Sequence, residues 1–377
     1  MMLKDVITII IWRLYFMKKW LKSAGVLLTS AIMLTACSGG GGESSSASSS
    51  NEGSAEADSK LIIYSNSLSD GRSDWLKEKA SEEGMELEFV DAGGGDIYNR
   101  LLAEKNAPQA DVTFGMDEGY FKKLDEEGIL HNYTADWVAD IPEEMLQNKE
   151  AYAPLVEQRI FMIANPDHID EADLPKSWEE PAKDEALKEK YRVPAGVGGG
   201  TDQKATMSVL FNYRDENGEL GISEEGWNTL QQWFDNGYMP SESEEALQLF
   251  ADGTTPISYY YSSGIPAAEE EYDFKAQPIN SEGGVFSMSE QIGIVNKGDD
   301  HNYETAEKFV NWFGSADVQR EWAKEFGTWP VNPKAQDGAS DRMKELMEQT
   351  TAKRVDWDFI NENIDAWIEK VELDILP

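Results

Sequence analysis

Cysteine is almost missing from these 377 residues. Cys37 is the single one, so no intrachain disulfide can form and folding must rest on core packing. Histidine is nearly as scarce: His131, His168 and His301 are scattered without the spacing of metal ligands. Positive charge is short as well, with 33 Lys and Arg against 71 Asp and Glu and a net charge of −38. That imbalance excludes nucleic acid and anionic lipid surfaces as partners of the folded body. The apolar stretch at 24–34 falls short of the ~20 residues that a membrane-spanning helix requires. Enzyme signatures are lacking too: there is no GxxxxGK[ST], GxSxG or HExxH, and Gly196-x-Gly198-x-x-Thr201 lacks the third glycine of a dinucleotide fingerprint. Carboxylates abound, yet nothing marks two of them as a glycosidase dyad. The expectation is a protein that is not an enzyme and needs no cofactor.

With 40% hydrophobic and 11% aromatic residues the chain can build a substantial core. Its length exceeds the ~250 to 300 residues that one core usually organises, so two lobes are expected. At the N-terminus Lys18, Lys19 and Lys22 precede the apolar stretch 24–34, which ends in Leu34-Thr35-Ala36-Cys37. This order of basic, apolar and small residues reads as a signal peptide and resembles the bacterial lipobox. That resemblance implies a lipidated Cys37 and a protein anchored to, not spanning, the membrane. Met17 stands just before the basic residues, so residues 1–16 read as an upstream extension. Residues 1–36 carry a net +4, which leaves the mature chain at −42. Residues 37–59 are Gly, Ser, Ala and acidic, too polar to bury surface, and read as a flexible tether.

The folded body is predicted to open with a strand at 61–64, then a helix through Trp75, Leu76 and Lys79 capped by Ser73. Residues 85–90 alternate with period two and read as a second strand, and 110–115 as a third, with a helix through Tyr98, Leu101 and Leu102 between them. Such alternation predicts an α/β fold with a mostly parallel sheet and ligands at the carboxyl ends of its strands. Composition shifts around 152–156, where the chain is expected to cross into a second lobe; a return crossing is expected at 281–284, ahead of a strand at 292–295. Ser177 reads as the cap of a charged helix. Trp227, Leu230, Trp233 and Phe234 form a helical stripe that belongs to a core.

Each half also contains a triple-glycine loop that runs into a helix, at Gly93–Gly95 and Gly198–Gly200. Glycine allows close backbone approach, and a helix N-terminus offers unpaired N–H groups to an anion. Gly94, Gly95, Gly199, Gly200 and Thr201 are therefore candidates to grip a phosphate, phosphonate or carboxylate. The alternative for either loop is an ordinary flexible turn. Tyr259, Tyr260 and Tyr261 alternate faces of a strand, so at least one could stack on a ligand or offer a phenolate to a metal; a plain core-and-surface strand is the other reading.

Leu61-Ile-Ile-Tyr64-Ser65, Ala110-Asp-Val with Gly115-Met-Asp117, Pro175-Lys-Ser-Trp178, Phe250-Ala-Asp-Gly before Ile257-Ser-Tyr259, and Trp329-Pro-Val331 occur in an order that resembles the substrate-binding proteins of ABC importers. Within these it is similar to the cluster that binds thiamine, ferric iron and 2-aminoethylphosphonate. The resemblance implies a two-lobe periplasmic-binding-protein-like (type II) fold with crossing strands, lobe 1 comprising 60–153 with 283–333 and lobe 2 comprising 154–282 with 334–377. It further implies a monomer that closes on a small-molecule ligand and meets an ABC permease at the extracytoplasmic face. Tyr64, Ser65, Asn66, Asp117, Tyr259 and Trp329 are the implied ligand contacts beside the glycine loops. The tryptophan that thiamine binders place ahead of the helix at 244 has no counterpart, and their second tyrosine falls at Ile265. Iron binders carry adjacent tyrosines that Tyr260 and Tyr261 match, but their first-strand histidine is missing. A solute bearing phosphate or phosphonate, thiamine phosphates included, is expected; ferric iron is the alternative.

Overall fold

The computed structural model describes residues 60–198 and 200–376. The signal segment, Cys37, the tether and Gly199 lie outside the described residues. The first elements are β1 (Lys60–Ser65), α1 (Arg72–Glu82), β2 (Glu86–Asp91), α2 (Gly94–Ala103), β3 (Val112–Phe114) and α3 (Glu118–Glu126). β1 pairs in parallel with β2 and with β3, as the strand and helix alternation predicts. Helices cover both faces of this parallel unit, so Ile63, Tyr64 and Ser65 are all buried in succession.

β4 (Leu130–His131) leads to β5 (Tyr152–Ala164), thirteen residues that are all buried. There follow α4 (Glu180–Lys183), α5 (Gly200–Leu210), β6 (Arg214–Glu219), α6 (Glu224–Asn236), α7 (Ala246–Ala251), β7 (Ile257–Tyr261), α8 (Ile265–Tyr272) and β8 (Gln277–Ile279). The chain then returns through β9 (Val285–Val295) to α9 (Glu304–Phe313), α10 (Ala316–Phe326) and β10 (Trp329–Pro330), and ends with α11 (Asp341–Glu348), β11 (Ala352–Lys353) and α12 (Trp357–Lys370).

One mixed sheet, not the mostly parallel one that the alternation predicts, runs in the order β10-β5-β9-β3-β1-β2, with β7 and β8 on β5 and with β4 and β11 on β9. Only β1–β2, β1–β3 and β9–β11 are parallel, because the long strands β5 and β9 pair antiparallel with each other and with their remaining neighbours. The two long strands β5 and β9 are antiparallel from Tyr152↔Gly293 to Ile160↔Phe286, with one irregularity between Pro154 and Val156. Proline has no N–H to give to a ladder, so the pairing breaks there. One end of this pair joins β3 and the other joins β7. Packing follows the same division. Leu61, Phe114, Phe309 and Trp322 share one cluster, and Ile97, Leu101 and Phe121 another. Tyr191, Leu230, Trp233 and Tyr259 share a third, and Phe161, Phe250 and Met343 a fourth. The stripe of Trp227, Leu230, Trp233 and Phe234 is core, as its spacing predicts.

Two cap assignments are corrected. Gly71, not Ser73, precedes α1, in a left-handed conformation at φ 85° that glycine adopts without steric cost. α4 starts at Glu180, three residues beyond Ser177, with Pro181 fixing the backbone of its first turn. The return strand also begins at Val285, earlier than the apolar run at 292–295 suggests. Its first half carries Ser287, Ser289, Glu290 and Gln291, which hide the strand from a hydrophobicity pattern.

Candidate functional site

Three loops at the carboxyl ends of β1, β2 and β3 meet at one place, where ligands of parallel sheets are held. A Cβ at Gly115 (φ +99°) would stand 2.7 Å from Asn66 Oδ1 and 2.9 Å from Ser67 Cβ. Only glycine lets the loops after β1 and β3 nest so closely. Gly94, at the start of α2, faces Asn66 and the Tyr120 ring, and Gly95 faces the Tyr120 hydroxyl. Asp117 caps α3, its Oδ1 accepting from the N–H groups of Gly119 at 3.1 Å and Tyr120 at 3.3 Å.

The other oxygen of Asp117 is 2.8 Å from Lys204 Nζ, with both side chains under one tenth exposed. Lys204 stands one turn into α5, so this pair ties the loops of the first half to the second half. Burial works to lower the Lys204 pKa, but Asp117 beside it prevails and the ammonium is held above the ordinary lysine value. Nearby, Asn361 Nδ2 donates to the Gly119 carbonyl at 3.0 Å and Lys122 pairs with Asp358 at 2.6 Å. A small groove of about 50 Å³ lies between α3, α5 and α12, lined by Tyr120, Gln203, Lys204, Trp357, Asn361 and Asp365.

The seam continues onto the crossing strands. Ser67 Oγ donates to Glu290 Oε2 at 2.9 Å, and Gln158 Nε2 donates to Glu290 Oε1 at 3.1 Å and to Ser263 Oγ at 2.8 Å. Ser262 Oγ in turn donates to Gln158 Oε1 at 3.0 Å. The loop after β1, both crossing strands and the loop after β7 are thus bound into one network. Burial raises the Glu290 pKa above the usual carboxylate range, with Arg72 acting against it.

Glu118, next to the cap, accepts from Ser289 N–H at 2.8 Å and Ser289 Oγ at 2.6 Å through one oxygen, while the other is buried without a partner. Burial pushes its pKa up to about 7 from 4.5. The folded chain therefore holds a proton between these values that the unfolded chain has released, so this contribution is present below pH 4.5 and is lost as pH rises through 7. At pH 8 the buried charge costs about 3 kcal/mol, at 1.36 kcal/mol per unit. Glu118→Gln should match the parent near pH 5 and be more stable at pH 8, as urea midpoints at the two values will read; a parallel pH dependence in the variant refutes this.

The predicted site residues divide. Ser65, Asn66, Gly94, Gly95 and Asp117 come together at the seam. Gly200 and Thr201 open α5, which reaches the seam through Lys204, and a Cβ at Gly200 would meet nothing within 4 Å. Tyr64 is fully buried, with its hydroxyl on Glu104 at 3.0 Å and Arg100 at 4.5 Å from its ring. Tyr259 is buried too: its hydroxyl donates to Asp202 at 2.6 Å, and Arg192 lies 4.1 Å over its ring and 3.0 Å from Asp202. Tyr260 and Tyr261 are half-buried, ring centroids 4.5 Å apart. Trp329 is half-buried opposite Glu157 in β10 and packs on the cluster of Phe161 and Phe250. Sequence reading passed over Ser67, Gln158, Ser263, Glu290 and Lys204. For Lys204 a signal existed, since it is the one charged residue in the stretch 204–213.

The sequence pattern of the bacterial extracellular solute-binding proteins matches residues 75–351. The chain belongs to this family. A relative from Sinorhizobium fredii, named "Probable ABC transporter periplasmic-binding protein y4fP", is 31% identical over 315 residues, which is 84% of this solute-binding protein and 86% of the relative. The "Putative 2-aminoethylphosphonate-binding periplasmic protein" of Salmonella typhimurium is 29% identical over 198 residues, covering 51% of this chain and 54% of its own. Among solved structures, iron-bound HitA from Pseudomonas aeruginosa superposes with a TM-score of 0.67 at 16% identity, over 84% of this chain and 99% of HitA. That likeness shows the fold, the two-lobe arrangement of periplasmic binding proteins.

Proposed function

We propose that this solute-binding protein is the extracytoplasmic capture component of an ABC importer and takes a small organic solute bearing phosphate or phosphonate, thiamine phosphates included, between its lobes. The lobes divide as 60–153 with 283–333 and 154–282 with 334–377, and Cys37 anchors the monomer to the membrane that holds its permease. It binds and releases; it does not turn its ligand over. One observation carries the reading: α2 opens at Gly94 against the loops after β1 and β3, while α5 opens at Gly200 and reaches the same seam through Lys204. Two helix N-termini on opposite lobes can donate N–H groups to one anion only when the lobes are closed. A ligand shifts the open and closed populations through such differential contacts.

Thermal-shift screening with 2-aminoethylphosphonate, inorganic phosphate and thiamine phosphate should find a solute that raises the melting temperature, and steady turnover of any of them refutes a pure binder. Gly200→Val should fold, because a side chain there meets open space. It should bind the solute at least about tenfold more weakly, since one or two hydrogen bonds to a charged group are worth ~1.5 to 3 kcal/mol each. Unchanged affinity in the folded variant removes the second loop from the site. The adjacent rings of Tyr260 and Tyr261 favour ferric iron as the second reading. Visible colour on adding ferric salts, lost in Tyr260→Phe and Tyr261→Phe, would establish it.

A further inference from the structure

Glu290 is an unusual group to find at the junction of two lobes. It is a carboxylate on a crossing strand, and the donors it receives are both neutral: the Ser67 hydroxyl and the Gln158 amide. Among the described residues no lysine, arginine or histidine stands within 4.0 Å of it. The other carboxylates close to the seam are served differently. Asp117 has Lys204, Glu157 has Arg159, and Glu118 has Arg354 at 3.9 Å. Two accepted hydrogen bonds leave about half of the lone-pair capacity of a carboxylate unused. An isolated buried charge is costly unless a cation and further donors complete it.

We propose that Glu290 receives an ammonium group of the solute, so that the ligand class is an amine that also carries an acidic group. This rests on the reading of the seam as the solute site. An ammonium brings three N–H donors and a full positive charge to the unused face of the carboxylate. The surrounding donors are built to hold Glu290 in place rather than to neutralise it: Gln158 is itself fixed by Ser262 and Ser263 in the loop after β7. The ammonium is therefore sensed from both lobes at once. Arg72, whose Nε is buried with no hydrogen-bond partner, is the nearby cation that acts on Glu290; it suits the acidic end of the same molecule. A purely anionic solute has no donor to offer the unused lone pairs of Glu290.

The test is calorimetric titration of the full chain in detergent with two matched pairs: 2-aminoethylphosphonate against ethylphosphonate, and β-alanine against propionate. The amine of at least one pair should bind at least tenfold more tightly than its amine-free partner. Glu290→Gln should lose at least tenfold for that amine and leave the amine-free compound unchanged, whereas Glu290→Asp, which keeps the charge, should keep the preference. Equal binding within each pair, or a preference that survives in Glu290→Gln, overturns the proposal while leaving the phosphonate reading intact. If Glu290→Gln fails to fold, the Asp variant decides, because a structural hub loses both members of a pair alike. Binding of β-alanine over propionate with no phosphonate binding upholds the ammonium site and removes the phosphonate reading. Failure of all four compounds removes both.

Discussion

Replacing Lys204 with methionine should lower the unfolding free energy by about 3 kcal/mol, because it strands the Asp117 carboxylate in a place where both side chains are under one tenth exposed. Breaking a buried pair by removing one partner typically costs ~3 to 5 kcal/mol, most of it the uncompensated charge. Here the lower end applies, since Asp117 keeps the N–H groups of Gly119 and Tyr120. The double variant with Asp117→Asn should recover at least half of the loss, because the charge is gone and the amide oxygen can still cap α3. Urea unfolding of the four proteins gives the coupling directly. If the two substitutions simply add, the pair is not what joins α5 to the first half. Scattering on ligand-free Lys204→Met should also show a larger radius of gyration, since opening the lobes is the cheapest way to hydrate Asp117.

Arg159→Met should be comparably severe, at about 3 to 5 kcal/mol. The guanidinium pins the segment after α11 to the crossing strand β5, beside the pairing of β11 with β9. Its Nε donates to Glu157 at 2.9 Å, and one terminal nitrogen donates to the carbonyls of Met347 and Thr350, each at 2.8 Å. Its loss leaves two buried carbonyls without a donor, at ~1 to 3 kcal/mol each, and leaves Glu157 with the Ser287 hydroxyl at 2.8 Å and the more distant Arg354 at 3.9 Å. Lysine should restore less than half, since a point charge cannot serve carboxylate and carbonyls in a fixed planar fork. Denaturant melts measure both variants. Hydrogen exchange at 347–350 should accelerate in Arg159→Met, and protection equal to the parent's there would show that the segment is held by something else.

Much of the local structure was legible without coordinates. The two-residue alternation at 85–90, the helical stripe at 227–234 and the glycine runs that open α2 and α5 each report on neighbours along the chain, and such patterns are set by the pitch of one element. A long shared strand was legible in the apolar ends of Tyr152–Ala164, whose central Glu157, Gln158 and Arg159 are buried through hydrogen bonds instead. Its partner was only half legible in β9, whose polar first half is buried through hydrogen bonds to distant residues rather than through side-chain hydrophobicity. The resemblance implied Tyr64 and Tyr259 as ligand contacts, whereas in the structure both are buried. Glu104 and Asp202, each on a different element, take their hydroxyls.

By itself, then, the sequence determined that this chain is acidic, that it alternates strands and helices around a sheet, and that it belongs with solute-binding proteins. Those properties follow from composition, periodicity and the order of short motifs. Only the tertiary structure decided which charged and polar groups meet at the seam. Ser67 and Glu290 are 223 residues apart and Gln158 and Glu290 are 132 apart. Lys204 finds Asp117 only because α5 and α3 start at the same junction. Burial and partner identity set the energy of a charge, and both depend on chain crossings that bring remote segments together, which no local pattern encodes.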